Sequence, residues 1–405
     1  MTSPEVATRF LLAVAVAVVA ARAAGWVAVR LRQPRVVGEV LAGILLGPSL
    51  LGAVWSSATT YLFPVQVMPG LKALAQLGLV LFMFLVGVEL DPRLLRGRGR
   101  TVAYVELGSL VLPLALGALS ALWLYPRFGT GTDRLSFVLF IGVAMAITAF
   151  PVLVRILQDT GLAGTSVGTV AVAAAALDDV TAWCLLAGAV AVTASSGPGE
   201  VLQVAGLAVA YVLAMALVVR PLLARAGTVT LPVAVAVALL SAWVTELVGV
   251  HAVFGAFVAG AVMPVDRSVR ARLEEQLSHV TTSVLLPVFF VVVGVSVRID
   301  RLNSPYLWGV TALVVAVATV SKMVGATGGA LLAGSSRRDA LTLGVLMNTR
   351  GLTEIVILTV GLELGVIDTT LFSIGVVMAL TTTVVASPLL RLVRPAGAAP
   401  DPRTA

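Results

Sequence analysis

The chain has 405 residues, of which 59% are hydrophobic and only 12% charged, with a formal net charge of +7. Soluble domains carry about 25% charged residues, and runs of about 20 apolar residues recur here from end to end, so the chain is an all-α polytopic membrane protein with no soluble domain of ordinary size. Its single cysteine, Cys184, excludes an intrachain disulfide and a cysteine metal cluster and reads as a small apolar filler.

The first apolar stretch, 10–20, has a small-residue site at 21–23 but a nearly uncharged leading segment, so it reads as a retained span rather than a cleaved signal. Thirteen spans follow, near 7–29, 36–52, 71–90, 101–125, 135–157, 165–194, 200–219, 229–248, 251–264, 281–297, 304–333, 339–362 and 369–393. The ninth is short, and 266–279 after it is a charged amphipathic stretch suited to the membrane interface. With the N-terminus outside, 18 arginines fall on the cytoplasmic side, among them Arg93, Arg96, Arg98, Arg267, Arg337, Arg394 and Arg403, against five outside. That bias follows the positive-inside rule and gives an N-out, C-in topology. It also removes a nucleic-acid partner, because the basic residues sit in loops between spans and form no basic face. Glu89 and Asp91 close the third span as solvated residues, and 396–405 reads as a disordered tail.

The sixth span carries the costliest feature. Asp178 and Asp179 sit near the middle of the apolar run 171–190. One Asp at the centre of a membrane helix costs roughly 2.5–3.5 kcal/mol, and a second beside it adds like-charge repulsion. The pair is suited to holding a small cation or protons in alternation. Lys322 lies mid-span in 310–332, too deep to reach the interface easily, and needs a buried carboxylate; the Asp pair is the only acidic pair at comparable depth. Neighbouring helix positions point about 100° apart, so one Asp can meet Lys322 while the other faces a water-accessible cavity.

Two spans look interrupted. Pro151 in the fifth (Thr148, Ala149, Phe150, Pro151) removes a backbone hydrogen bond and disfavours helical geometry at Phe150. In the twelfth, Asn348, Thr349, Arg350 and Gly351 cluster at membrane depth. Irregular backbone is tolerated there only inside protein or along a cavity, and paired interruptions in corresponding places of two halves point to a transporter site. Arg350 and Glu354, four apart, form a structural pair on one helix face. Glu106, near the start of the fourth span, is a secondary candidate for lining a cavity open to the cytoplasm.

The segments 33–48 (QPRVVGEVLAGILLGP), 87–91 (GVELD), 148–157 (TAFPVLVRIL), 177–183 (LDDVTAW) and 347–352 (MNTRGL) together resemble the monovalent cation:proton antiporters, in the branch of the Kef-like bacterial proteins and plant cation/H⁺ exchangers. The resemblance covers nearly the whole chain. It implies the sodium/hydrogen exchanger fold, with inverted repeats and two crossed, broken helices at Thr148–Pro151 and Asn348–Gly351. It implies a dimerisation part near 1–95 and 229–300, a core part near 101–195 and 304–394 that moves as an elevator, a linker helix near 200–220, and a homodimer. Asp179 would bind the transported cation or proton, with Thr148 at the site, and Asp178 would pair with Lys322. The two-aspartate form implies electrogenic sodium exchange, while the Thr-Ala-Phe-Pro form resembles potassium-linked exchangers, so Na⁺ and K⁺ both stand. Many relatives carry a cytosolic regulatory domain after the membrane part. This sequence shows none after 395, so regulation through one is not expected.

The function that follows is exchange of Na⁺ or K⁺ for H⁺ across a cell membrane, that of a bacterium by the Ala/Val/Gly/Arg-rich composition, with membrane lipids as surroundings and no cofactor. The alternative is proton-coupled export of an organic cation or an ion-carrying metabolite. An intramembrane aspartyl protease is disfavoured because adjacent aspartates diverge, and a channel because the site is charged and paired.

Overall fold

The computed structural model describes residues 3–89, 99–129, 131–194, 198–225, 229–263 and 267–393. Asp91, Arg93, Arg96, Arg98, Asp266, Arg394, Arg403 and the tail 396–405 lie outside the described residues. The helices are α1 (Ser3–Arg30), α2 (Arg35–Leu46), α3 (Leu51–Val54), α4 (Ser56–Leu62), α5 (Met68–Glu89), α6 (Gly99–Phe128), α7 (Arg134–Ala146), α8 (Phe150–Thr160), α9 (Ser166–Ala194) and α10 (Pro198–Ala214). They continue as α11 (Arg220–Arg225), α12 (Leu231–Val248), α13 (Ala252–Ala261), α14 (Arg267–Val280), α15 (Leu286–Ser296), α16 (Pro305–Leu332), α17 (Arg337–Met347), α18 (Leu352–Glu363) and α19 (Thr369–Leu392). Among the described residues ten helical stretches are long and apolar enough to cross a membrane. The expected fifth and twelfth spans are instead the broken pairs α7–α8 and α17–α18, and the short ninth is the apolar ten-residue helix α13.

The chain divides into two compact units. The first comprises Met1–Ala24, Glu39–Leu90 and Val190–Ser296. There α5 packs on α13 and α15, and α12 on α13. Small residues set these contacts: a Cβ at Gly87 would strike the backbone of Phe257 on α13. Within this unit the Tyr211 hydroxyl shares a buried hydrogen bond with Ser241, and both reach the Gly255 carbonyl. The interfacial stretch expected after α13 is α14, which turns Leu273 and Leu277 inward.

The second unit comprises Gly25–Gly38, Asp91–Ala189 and Val297–Ala405. Here α6 lies along both α16 and α7, and α16 also packs on α17 and α19. The α6–α16 contact is nearly backbone on backbone. A Cβ at Gly325 would strike the Gly108 carbonyl, and one at Gly329 the Tyr104 carbonyl, the close approach that small residues four apart allow between membrane helices. The core around it is small and aliphatic, including Val105, Ala149, Leu153, Ala174, Ala326 and Leu346. The helix starts are locally capped. Asp133 Oδ1 accepts from the Leu135 and Ser136 amides at 2.9 and 3.0 Å, and Asp368 Oδ1 from Leu371 at 2.7 Å.

Pro151 does not sit inside a helix. It occupies the first turn of α8, and the break lies just before it at 147–149, where Ile147 and Ala149 are extended. At that position proline removes an amide that has no intrahelical acceptor, so it starts a half-helix rather than kinking a whole one. Cys184, on α9, is exposed.

The glycine contact yields a signed test. Gly325→Ala should lower the melting temperature of the detergent-purified chain, since overpacking costs roughly 1–3 kcal/mol. Gly328→Ala, on the same helix with open space around it, should leave it unchanged or raise it.

Candidate functional site

The site is built from the backbone that the two breaks set free. The last carbonyls of a helix have no intrahelical partner, and α7 ends inside the protein at Ala146. Two cations take those carbonyls. Arg350 donates from Nη1 to Ala144 at 3.0 Å and from Nη2 to Met145 at 2.5 Å, and the Lys322 ammonium donates to Ala146. Positive charge at a helix C-terminus also opposes the helix dipole. The second break supplies the rest. Thr148 Oγ1 donates to the Met347 carbonyl at 3.0 Å, the Ala149 amide to the Thr349 carbonyl at 3.0 Å, and the Thr383 hydroxyl to the Arg350 carbonyl. Gly351 permits this approach, since a Cβ there would lie 2.5 Å from Val152. Thr148, Asn348, Thr349 and Arg350 are fully buried.

The aspartate pair divides. Asp178 Oδ2 accepts from the Thr148 amide at 2.5 Å and from Lys322 Nζ at 3.2 Å. Asp178 and Lys322 are both fully buried. Asp179 makes no ion pair among the described residues, and its Oδ1 has no hydrogen-bond partner there. It is 2% exposed and so is buried from solvent in this structure. Arg350 and Glu354 form the expected pair, Nη1 to Oε2 at 2.5 Å, but Arg350 stands in the break before α18 and not on a helix face.

Glu106, on α6, is 4% exposed in this structure; it interacts electrostatically with Asp178 and Lys322, and Asp179 interacts with it in turn. Both its carboxylate oxygens lack a partner among the described residues, as do both side-chain atoms of Asn348. Around Lys322 the unit thus buries two more carboxylates than it has ammonium groups to offset them. Sequence reasoning missed Thr383 and the Ala144–Ala146 carbonyls. Only the membrane-depth threonines of 381–383 gave any signal for the former, and backbone acceptors leave no side-chain signature. Among the described residues no three His, Cys, Asp or Glu side chains form a metal-chelating group.

Apolar spans, two half-helix pairs whose breaks meet inside the protein, and a dry cluster with more buried carboxyl groups than cations together define a polytopic membrane transporter for small cations. The comparisons agree. The sequence profile of the transmembrane sodium/hydrogen exchanger family matches residues 14–393. The chain is 41% identical over 390 residues to the Na(+)/H(+) antiporter NhaS4 of Synechocystis sp., covering 93% of this chain and 95% of the relative. It is 33% identical over 384 residues to K(+)/H(+) antiporter 1 of Saccharomyces cerevisiae, covering 90% of this chain and 44% of that one. Among solved structures, the sodium proton antiporter MjNhaP1 of Methanocaldococcus jannaschii superposes with a TM-score of 0.67 at 16% identity, over 94% of this chain and 96% of that one, and so shares its fold. The chain belongs to the sodium/hydrogen exchanger family. It is a cation/proton antiporter, a secondary active transporter and not an enzyme.

Arg350 carries two carbonyls and a carboxylate at once, which sets its expected behaviour. Arg350→Ala should destabilise the chain by roughly 3–5 kcal/mol, because Glu354 is left buried and unpaired. Arg350→Ala with Glu354→Ala should recover part of that loss in thermal melts, and Arg350→Lys should not restore wild-type stability, since an ammonium lacks the fork.

Proposed function

We propose that the protein exchanges Na⁺ or K⁺ for protons with Asp179 as the carboxylate that takes either ion. The excess of buried carboxylate around Lys322 carries this reading. Both aspartates have an Oδ1 without a hydrogen-bond partner among the described residues, but Asp178 is committed through Oδ2 to the Thr148 amide and the Lys322 ammonium, which leaves Asp179 as the aspartate with no cation of its own. A carboxylate that holds a cation or a proton, but not both, couples the two flows by competition. A dry, uncompensated carboxylate is several kcal/mol unfavourable, so the empty charged site does not cross and each crossing carries an ion. The relatives' names span both cations: the cyanobacterial one is a Na(+)/H(+) antiporter and the yeast one a K(+)/H(+) antiporter.

The same reading extends to the architecture. The thirteen expected crossings comprise the ten long apolar stretches, the two broken pairs and α13, with the N-terminus outside and the C-terminus in the cytoplasm, in the plasma membrane of a bacterium. The broken pairs α7–α8 and α17–α18 are counterparts in two inverted repeats. The second compact unit, which contains every residue of the charged cluster, is the moving core of an elevator, and the first is the part through which two copies dimerise.

The test is a cation-induced ΔpH assay in inverted vesicles with Li⁺, Na⁺, K⁺ and Rb⁺ in turn. At least one should collapse the gradient. Silence with all four would sink this reading and favour export of an organic cation. Asp179→Asn should reduce exchange to background in protein that still inserts, whereas Lys322→Ala should impair both coupling and stability. Wild-type exchange in Asp179→Asn would move the ion site elsewhere.

A further inference from the structure

Glu106 is the one carboxylate of the cluster that the reading above leaves without work. A buried acid that merely fastens helices has a partner, because an unpaired buried charge is costly and a hydrogen bond or ion pair is what offsets it. Glu106 has none among the described residues for either oxygen. The helix contact does not need it either. The backbone approaches of Tyr104 to Gly329 and Gly108 to Gly325 flank it on both sides and already fix α6 against α16.

Those same approaches hold Glu106 against the charged cluster. Lys322 lies one turn before Gly325 on α16. The groups that act on Glu106 are Asp178 and the nearby Thr181 from α9, and Lys322 from α16; Asp179, also on α9, interacts with it as well. Lys322 is not free to neutralise it, because its ammonium is bonded to Asp178 and the Ala146 carbonyl. The Thr181 hydroxyl donates to the Leu177 carbonyl at 2.9 Å. Glu106 is therefore neutralised by a proton or a cation taken from outside the protein, not by a group of the cluster. It does not join the aspartates as a third chelator of one ion, since no such trio is grouped among the described residues.

We propose that Glu106 is a second binding station for the transported monovalent cation, separate from Asp179 and within its electrostatic reach. The proposal rests on the reading of Asp179 as the ion carrier. Glu106 on α6 and Asp179 on α9 then form two carboxylate positions for the cation. Occupancy of one weakens the pull of the other on a further cation, which keeps binding tight enough to enter and weak enough to leave.

Removing the charge while keeping the shape tests this. Glu106→Gln should raise KM for each transported cation by roughly tenfold, the scale of losing one unit charge at short range in a partly buried site, with Vmax changed far less. Glu106→Asp, which keeps the charge, should stay near the wild-type KM. A folded Glu106→Gln protein with wild-type KM overturns the proposal, and so does Glu106→Asp as impaired as Glu106→Gln, which would mark a packing role. A measurement on the unaltered chain guards against a variant that does not fold. Dicyclohexylcarbodiimide modifies protonated carboxyls in apolar surroundings, and peptide mass spectrometry separates Glu106 from the aspartates. Its labelling should fall when the transported cation is added, and labelling indifferent to the cation overturns the proposal. Failure here alongside an inactive Asp179→Asn removes Glu106 alone; an active Asp179→Asn removes the ion-carrier reading beneath it.

Discussion

The constraint on which the rest depends is the broken backbone of α7 at Ala146. Inside a bilayer no water reaches the carbonyls that a helix end sets free, and each unsatisfied group costs several kcal/mol. The chain answers with two buried cations, Lys322 and Arg350, and the two breaks satisfy each other, the Thr148 hydroxyl and the Ala149 amide donating to the Met347 and Thr349 carbonyls. Each cation then requires its own carboxylate, and these are Asp178 and Glu354. The polar groups of this unit form one connected system because breaking a helix at depth leaves no cheaper way to satisfy it.

The two cations are not interchangeable in this arrangement. Arg350 addresses two successive carbonyls and Glu354 through a planar fork, which suits a fixed structural corner. Lys322 is a compact charge on a flexible stem, bonded to one carbonyl and one carboxylate oxygen. Asp178 Oδ2 is shared between that ammonium and the Thr148 amide, so it reports the state of both the break and the lysine.

Much of this was legible in the sequence, and the reasons are physical. Charges in apolar spans stand out because their cost is high, so Asp178, Asp179, Lys322 and Arg350 were visible at once. The partners Arg350 and Glu354 were visible from their spacing of four, although Arg350 stands in the break before α18. The interruptions were visible through Pro151 and the polar run at 348–351, but where the helix stops was not. Pro151 marks the interruption but stands in the first turn of the half-helix after it. The setting of Glu106 was hidden for a different reason. It depends on the rotation of α6 about its own axis and on its depth against α16, which no single span encodes. The pattern that sets both is distributed over two helices, in Gly108 on one and Gly325 and Gly329 on the other. The exposure of Cys184 was illegible because a small thiol fits either side of an Ala-rich helix.

Adjacent aspartates would be a poor way to build a single binding site, since they diverge by about 100°. They are a good way to tie two different jobs to one rigid element. Any shift of α9 that moves Asp178 relative to Lys322 and the Thr148 amide must also move Asp179, one residue away on the same helix. In the proposed cycle the state of the ion carrier and the integrity of the broken-helix corner are therefore coupled without a relay of intermediate residues. In that proposed cycle a proton or cation at Asp179 would change the field at Asp178 and Lys322 across a short distance, and the break that depends on those two groups would sense the load directly.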